Sequence, residues 1–117
     1  MTGPLSAAGT RSALYKTAIS GKKTDLIFDV TGYFQADDTG ATFSPLTPVR
    51  VLDTRNGRGL PGPFVNGTPR TLAIAGVPST GVPLTATAIT GNLTVTQQSG
   101  AGYLAVTRTP TTNPATS

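Results

Sequence analysis

The amino-acid sequence predicts an all-β protein, a β-sandwich with Greek-key or jelly-roll-like connections. Two observations carry this expectation. Short runs of β-branched and aromatic residues alternate in polarity, which suits half-buried strands. Gly (14 residues) and Pro (10 residues) punctuate those runs with turn signals, and no helical period of useful length interrupts them. Six or seven short strands in 117 residues suit a two-sheet sandwich and one domain spanning residues 1–117.

The longest strand pattern is Thr24–Phe34. Leu26, Phe28 and Val30 fall on one face, and Asp25, Ile27, Asp29 and Thr31 on the other, because side chains alternate along a strand. Gly32 breaks the run before Tyr33 and Phe34. This segment belongs at the centre of a sheet. Upstream, residues 1–10 are small and turn-prone, and Arg11–Thr17 reads as a first strand. The Ser20–Lys23 turn predicts that this strand and Thr24–Phe34 form an antiparallel hairpin.

Downstream, Gln35–Ala41 is the most polar stretch and predicts an exposed linker or a crossover between sheets. Phe43–Pro48 is extended, since the residue before each Pro avoids the helical region. Arg50-Val-Leu-Asp-Thr-Arg55 is a short strand carrying charge within and at both ends, and residues 56–63 form an irregular Gly/Pro loop. Arg70–Ala75 is a strand with Leu72 and Ile74 inward. Leu84–Thr96 is a longer one, where Gly91 marks a bulge or a close backbone approach. Gly102–Arg108 returns the chain, and Thr109–Ser117 is a Pro/Thr tail.

Asp29-Val-Thr-Gly-Tyr-Phe34, Pro45–Arg55 with its Arg-Val-Leu-Asp-Thr-Arg core, Ala88–Thr96 and Ala101–Val106 together span nearly the whole chain. In these motifs the sequence resembles the repeat unit of secreted bacterial cell-surface proteins, in which such domains stand in tandem or beside cell-wall hydrolases. The resemblance implies an extracellular, all-β, non-catalytic module, and it carries no ligand or binding residue with it. In such arrays the equivalent of Thr112–Ser117 leads into a further strand before the equivalent of Pro4–Tyr15, so the present frame leaves one strand slot to be filled, or to be taken by Met1–Thr10.

The chemistry of the chain narrows its function. It contains no Cys and no His, and its acids are five Asp: Asp25, Asp29, Asp37, Asp38 and Asp53. The usual general base, the thiol nucleophile and the soft metal ligands are therefore missing. Asp29 and Asp53 are the one pair that could act as a carboxylate dyad, but each lies in a strand pattern near Arg50 and Arg55. Asp29, Arg50, Asp53 and Arg55 are accordingly expected to form structural ion pairs. The net charge of +4 comes from nine scattered bases, with no stripe suited to nucleic acid. No apolar run is long enough to insert into a membrane, and Met1–Leu5 lacks signal-peptide features, which leaves a cytoplasmic protein or a mature segment behind an added Met.

Asn66-Gly-Thr68 and Asn92-Leu-Thr94 match the N-glycosylation triplet, as a Thr-rich chain often does by chance. Gly57-Arg-Gly59 lacks the Gly-Lys-Ser/Thr end of a phosphate loop. Tyr15, Tyr33 and Tyr103 could stack on a glycan, although with no Trp and few aromatics core or corner positions suit them better.

The leading expectation is a structural or adhesive module that self-associates or stands in an array, as a filament, surface layer or tandem repeat. Its segments for assembly are the termini, with Thr2, Pro4, Thr109, Pro110, Asn113 and Pro114, because an open sheet edge accepts a strand from another chain. The alternative is a carbohydrate- or cell-wall-binding module. No cofactor or metal is expected: Asp37-Asp38 could offer hard oxygens to calcium, but no Asp-x-Asp-x-Asp-Gly loop supports them. Dialysis against EDTA should leave the thermal unfolding curve in place; a fall of many degrees would reveal a structural metal.

Overall fold

A computed structural model describes residues 1–37 and 40–115. Its eight strands are β1 (Thr2–Pro4), β2 (Thr10–Lys16), β3 (Lys23–Asp37), β4 (Gly40–Asp53), β5 (Phe64–Val65), β6 (Arg70–Ala73), β7 (Ala86–Thr96) and β8 (Tyr103–Thr107). A single 3₁₀ turn, Pro78–Thr80, is the one helical element among the described residues. The first sheet runs β1-β7-β3-β4, with β5 pairing β3 where β4 has ended, and the second runs β6-β2-β8. All pairings are antiparallel. The two sheets pack face to face as an all-β sandwich, and most connections cross from one sheet to the other.

β3 holds the first sheet together. Its Asp25–Gln35 stretch pairs with β7 on one side, while Ile27–Asp37 pairs with β4 and Lys23–Thr24 with β5 on the other. Leu26, Phe28 and Val30 point into the sandwich and are almost fully buried. They meet Val51 and Leu52 of β4, Phe64 of β5, Leu72 of β6, Tyr15 of β2, and Ala86 and Ile89 of β7 in one core. Phe64 has no exposed surface, and the Arg70 guanidinium lies 4.9 Å from its ring centre.

Several sequence-based expectations are corrected here. β2 does not form a hairpin with β3. It lies in the other sheet, between β6 and β8. Both edges of β3 are occupied by longer partners, and the Thr17–Lys22 link is long enough to cross the roughly 10 Å between packed sheets. The described part of Gln35–Ala41 is neither linker nor crossover: β3 and β4 stay paired through Ala36↔Ala41 to Asp37↔Gly40. Gly32 does not end its strand. A Cβ at Gly32 would run into the Phe43 ring, so glycine admits that ring, which also packs against Phe34 with centroids 5.4 Å apart. The irregularity falls at Thr31, where the register with both neighbours shifts and the Thr31 hydroxyl meets that of Thr90 at 2.9 Å.

Both readings of Gly91 are realised: the irregularity at Thr31 falls between the Val30↔Gly91 and Gly32↔Thr90 pairs, and the backbones approach closely there. Gly91 pairs with Val30, and a Cβ there would strike the Asp29 carbonyl oxygen and the Phe28 ring. Residues 1–10, read as turn-prone, contain β1, which pairs with β7 through Thr2↔Thr90 and Pro4↔Ala88. The Met1 ammonium donates to the Gly91 carbonyl at 2.5 Å, and the Gly91 amide returns a bond to the Met1 carbonyl at 2.7 Å.

These contacts rank two variants. Phe64→Ala empties the centre of the core and should lower unfolding free energy by about 3–5 kcal/mol. Gly91→Ala should cost about 1–3 kcal/mol by forcing β7 away from β3. Urea unfolding measures both; an unchanged midpoint for either variant would contradict the packing described.

Candidate functional site

The densest polar constellation lies on the outer face of the first sheet, where β4 leaves β3. Asp53 is the last residue of β4 and stands opposite Ile27. The chain then turns tightly: the Asp53 amide donates to the Arg58 carbonyl at 3.0 Å, and the Arg58 amide donates to the Asp53 carbonyl at 3.1 Å. This turn brings Arg55 back over Asp53. Arg55 Nε donates to Asp53 Oδ1 at 2.9 Å, Nη2 donates to Oδ2 at 2.8 Å, and the Arg55 backbone amide adds a third bond at 3.2 Å. Such a two-pronged contact is the strong form of the carboxylate–guanidinium pair.

Arg50 joins the two carboxylates, donating from Nε to Asp29 at 3.0 Å and from Nη1 to Asp53 at 3.4 Å. Asp53 is only 1% exposed. The hydrogen bonds from the Arg55 side chain hold its carboxyl down to about 2, against the opposing effect of burial, with the Arg55 amide and the charges of Arg55 and Arg50 adding to the effect. The same bond raises Arg55 above the usual arginine range. The four residues singled out from sequence thus form one connected network.

Both oxygens of Asp53 are bound by guanidinium groups, while Asp29 accepts from Arg50 at one oxygen, an arrangement that suits a structural clamp. Asp29, Pro48, Arg50, Asn56 and Arg58 line a shallow, open hollow beside the network, about 500 Å³ in volume. Arg58 spends a side-chain donor on the Arg50 carbonyl at 3.3 Å.

Two buried polar groups escaped the sequence reading. Asp25 accepts the Thr54 hydroxyl at 2.6 Å, and that hydroxyl in turn accepts the Leu26 amide at 3.0 Å, so Thr54 ties the end of β4 to β3. Arg11, 7% exposed, reaches between the sheets to the carbonyls of Pro4 and of Val106, the latter at 3.4 Å. Burial lowers its pKa, and its Nε is the one buried side-chain polar atom without a partner among the described residues. An arginine in a strand pattern with no acid nearby gave no signal for either role.

The three tyrosines do not share one platform. Tyr15 is buried and donates its hydroxyl to the Gly100 carbonyl at 3.1 Å. Tyr33 is half-buried and lines a different hollow, with Gly76–Pro78 and Gly81–Pro83. Tyr103 alone is exposed, at 48%. Of the segments expected to serve assembly, Thr2 and Pro4 are taken up inside their own chain by β7. Thr109, Pro110 and Asn113 follow β8 and are exposed, and Pro114 is partly covered. Asp38, and with it the Asp37–Asp38 pair, lies outside the described residues. No group of three acidic residues that could hold a metal occurs among those described. Asn66 spends its side chain on the Thr17 amide at 2.9 Å and the Ile19 carbonyl at 3.4 Å.

Comparison of the chain with family models, with curated proteins and with solved structures found no significant match.

The clamp sets an acid limb. Because the folded Asp53 titrates near 2, below the ordinary 3.8, its contribution is complete above about pH 4 and is lost as pH falls towards 2. The wild-type melting temperature should therefore decline through that window. Asp53→Asn should be less stable at neutral pH and should show a shallower decline between pH 4 and 2. Parallel curves for the two proteins would rule out the clamp.

Proposed function

We propose that this chain is a non-catalytic structural or adhesive module of a secreted or cell-surface protein, joined to copies of itself or to tandem neighbours through strand edges. One observation carries the reading. β8 pairs with β2 alone, and its sequence Tyr-Leu-Ala-Val-Thr contains no charge and no proline. Edge strands in proteins that remain apart are commonly blunted by such residues or by bulges. β4, the outer strand of the other sheet, is blunted in this way by Pro45 and Pro48. β8 is therefore the edge best suited to receive a strand.

The resemblance of the Asp29–Phe34 and Arg50–Arg55 motifs to repeat units of secreted surface proteins supports the same reading. The segment from Thr109, directly after β8, is the candidate donor. A head-to-tail contact of this kind propagates into a filament unless rotation closes it into a ring. A second reading, a carbohydrate- or cell-wall-binding module, is favoured by the exposed ring of Tyr103.

Light scattering at high protein concentration tests the leading reading. The full chain should show a mass above the monomer. Deleting Thr109–Ser117 should reduce it, as should Thr107→Lys, which places a charge on the β8 edge. A strictly monomeric chain, or a mass indifferent to both changes, would overturn the assignment.

A further inference from the structure

The turn between β7 and β8 closes one end of the sandwich over a cleft of about 260 Å³, lined by Tyr15, Val95, Gln98, Gly100, Gly102 and Tyr103 among others. Its walls are of two kinds. Val95 and Tyr103 are large apolar side chains left 40% and 48% exposed, so an apolar strip borders the opening. The floor is glycine backbone. A Cβ on Gly102 would meet the Lys16 carbonyl and the Tyr15 ring, so the turn packs this closely on β2 only while this position lacks a side chain. Tyr15 belongs to the floor rather than to the opening, because its hydroxyl is committed to Gly100.

Backbone strain gathers at the same place. Gln97, with φ 55°, is the one non-glycine residue in the left-handed region among the described residues. Residues held there are uncommon and are over-represented at ligand sites. The strained residue immediately precedes Gln98, whose side chain lines the cleft and makes no hydrogen bond among the described residues.

Charge completes the picture. The chain has three lysines, Lys16, Lys22 and Lys23, and all three adjoin this turn. Lys16 stands opposite Tyr103 in the β2–β8 ladder. The Lys22 stem lies against Gly100, with Cγ 3.2 Å from where a Cβ on that glycine would sit. The Lys23 backbone exchanges bonds with Ser99: the Ser99 amide donates to its carbonyl at 3.0 Å and the Ser99 hydroxyl accepts its amide at 2.9 Å. The neighbouring acid, Asp25, is buried and accepts the Thr54 hydroxyl, so it does not offset this charge at the surface.

We propose that this cleft binds an acidic saccharide. The apolar face of a sugar ring lies on Tyr103 and Val95, the ring hydroxyls meet the Gln98 amide and the exposed backbone of residues 100–102, and the acid group is drawn to the lysines. The site shares Tyr103 with β8 but uses its ring and not the edge backbone that the proposed strand contact would take up, and it gives the module something to grip besides its own copies.

Titration of the full chain with a short oligogalacturonate, followed by calorimetry, tests this. The acidic oligosaccharide should bind saturably, while a neutral oligogalactoside of the same length should bind at least tenfold more weakly. Tyr103→Ala should weaken binding about tenfold and Tyr103→Phe should preserve it, because stacking needs the ring and not the hydroxyl. Lys22→Gln with Lys23→Gln should weaken binding and flatten its dependence on salt. Tyr103 is exposed, so unchanged melting temperatures should confirm that the variants fold. Deletion of Thr109–Ser117 should leave the affinity as it is, which separates this site from the assembly edge. Absence of saturable binding, equal affinity for the neutral sugar, or binding indifferent to Tyr103→Ala would overturn the proposal.

Discussion

The fold depends on one constraint: β3 must be hydrogen-bonded along both edges while one of its faces is dry. A strand so placed cannot shift by a single residue without exposing Leu26, Phe28 and Val30 and burying Asp29. Its neighbours are held to the same register. β7 approaches closely enough to need Gly91, and β4 carries Phe43 into the space above Gly32. β5 then takes up the stretch of β3 that β4 vacates, which places Phe64 at the centre of the core. Two residues of β5 thus pair with β3 at Thr24, whose backbone is buried and would otherwise lose a strand partner there.

The Asp–Arg network serves this same exchange. β4 must leave β3 abruptly, and the departing backbone would expose polar groups. Thr54 instead reaches back to Asp25 and Leu26, and Arg55 folds over Asp53. A buried carboxylate is costly unless it is fully paired. Here each oxygen is bound, and the half-exposed guanidinium groups retain contact with water. The Arg-Val-Leu-Asp-Thr-Arg motif therefore builds the corner at the end of β4. Arg11 does comparable work at the other side of the sandwich, joining a carbonyl of β1 to one of β8.

Much of this was legible in the sequence and some was not, for physical reasons. The inward set of β3, the pairing of Asp29 and Asp53 with Arg50 and Arg55, and the all-β class follow from alternation and from charge placed inside strand patterns. Alternation fixes which face a residue occupies, but not which strand lies beside it, so it does not reveal that β2 pairs with β6 and β8 rather than β3. Strands that leave the core lose the apolar signal that marks them: Gly40–Phe43 are exposed yet remain in the ladder. β1 spans three residues and β5 two, too short for any period to register. The cleft at Tyr103 depends on Gly102 and Gln97 having unusual surroundings, and neither residue's identity announces that.

The strand order also dictates when each part can form during synthesis. Among the paired strands, only β3 and β4 are consecutive. As the chain emerges, β1 has no partner until β7 has been made, and β2 waits for β6 and β8. The long β3–β4 hairpin can close early, while Thr2–Lys16 stays unpaired through most of translation. Such non-local pairing places folding in the millisecond-to-second range rather than the microsecond range. It also leaves apolar strands exposed to neighbouring chains for that interval. A copy still awaiting β8 presents the unoccupied edge of β2, so chains made side by side have an occasion to exchange strands before either has finished folding.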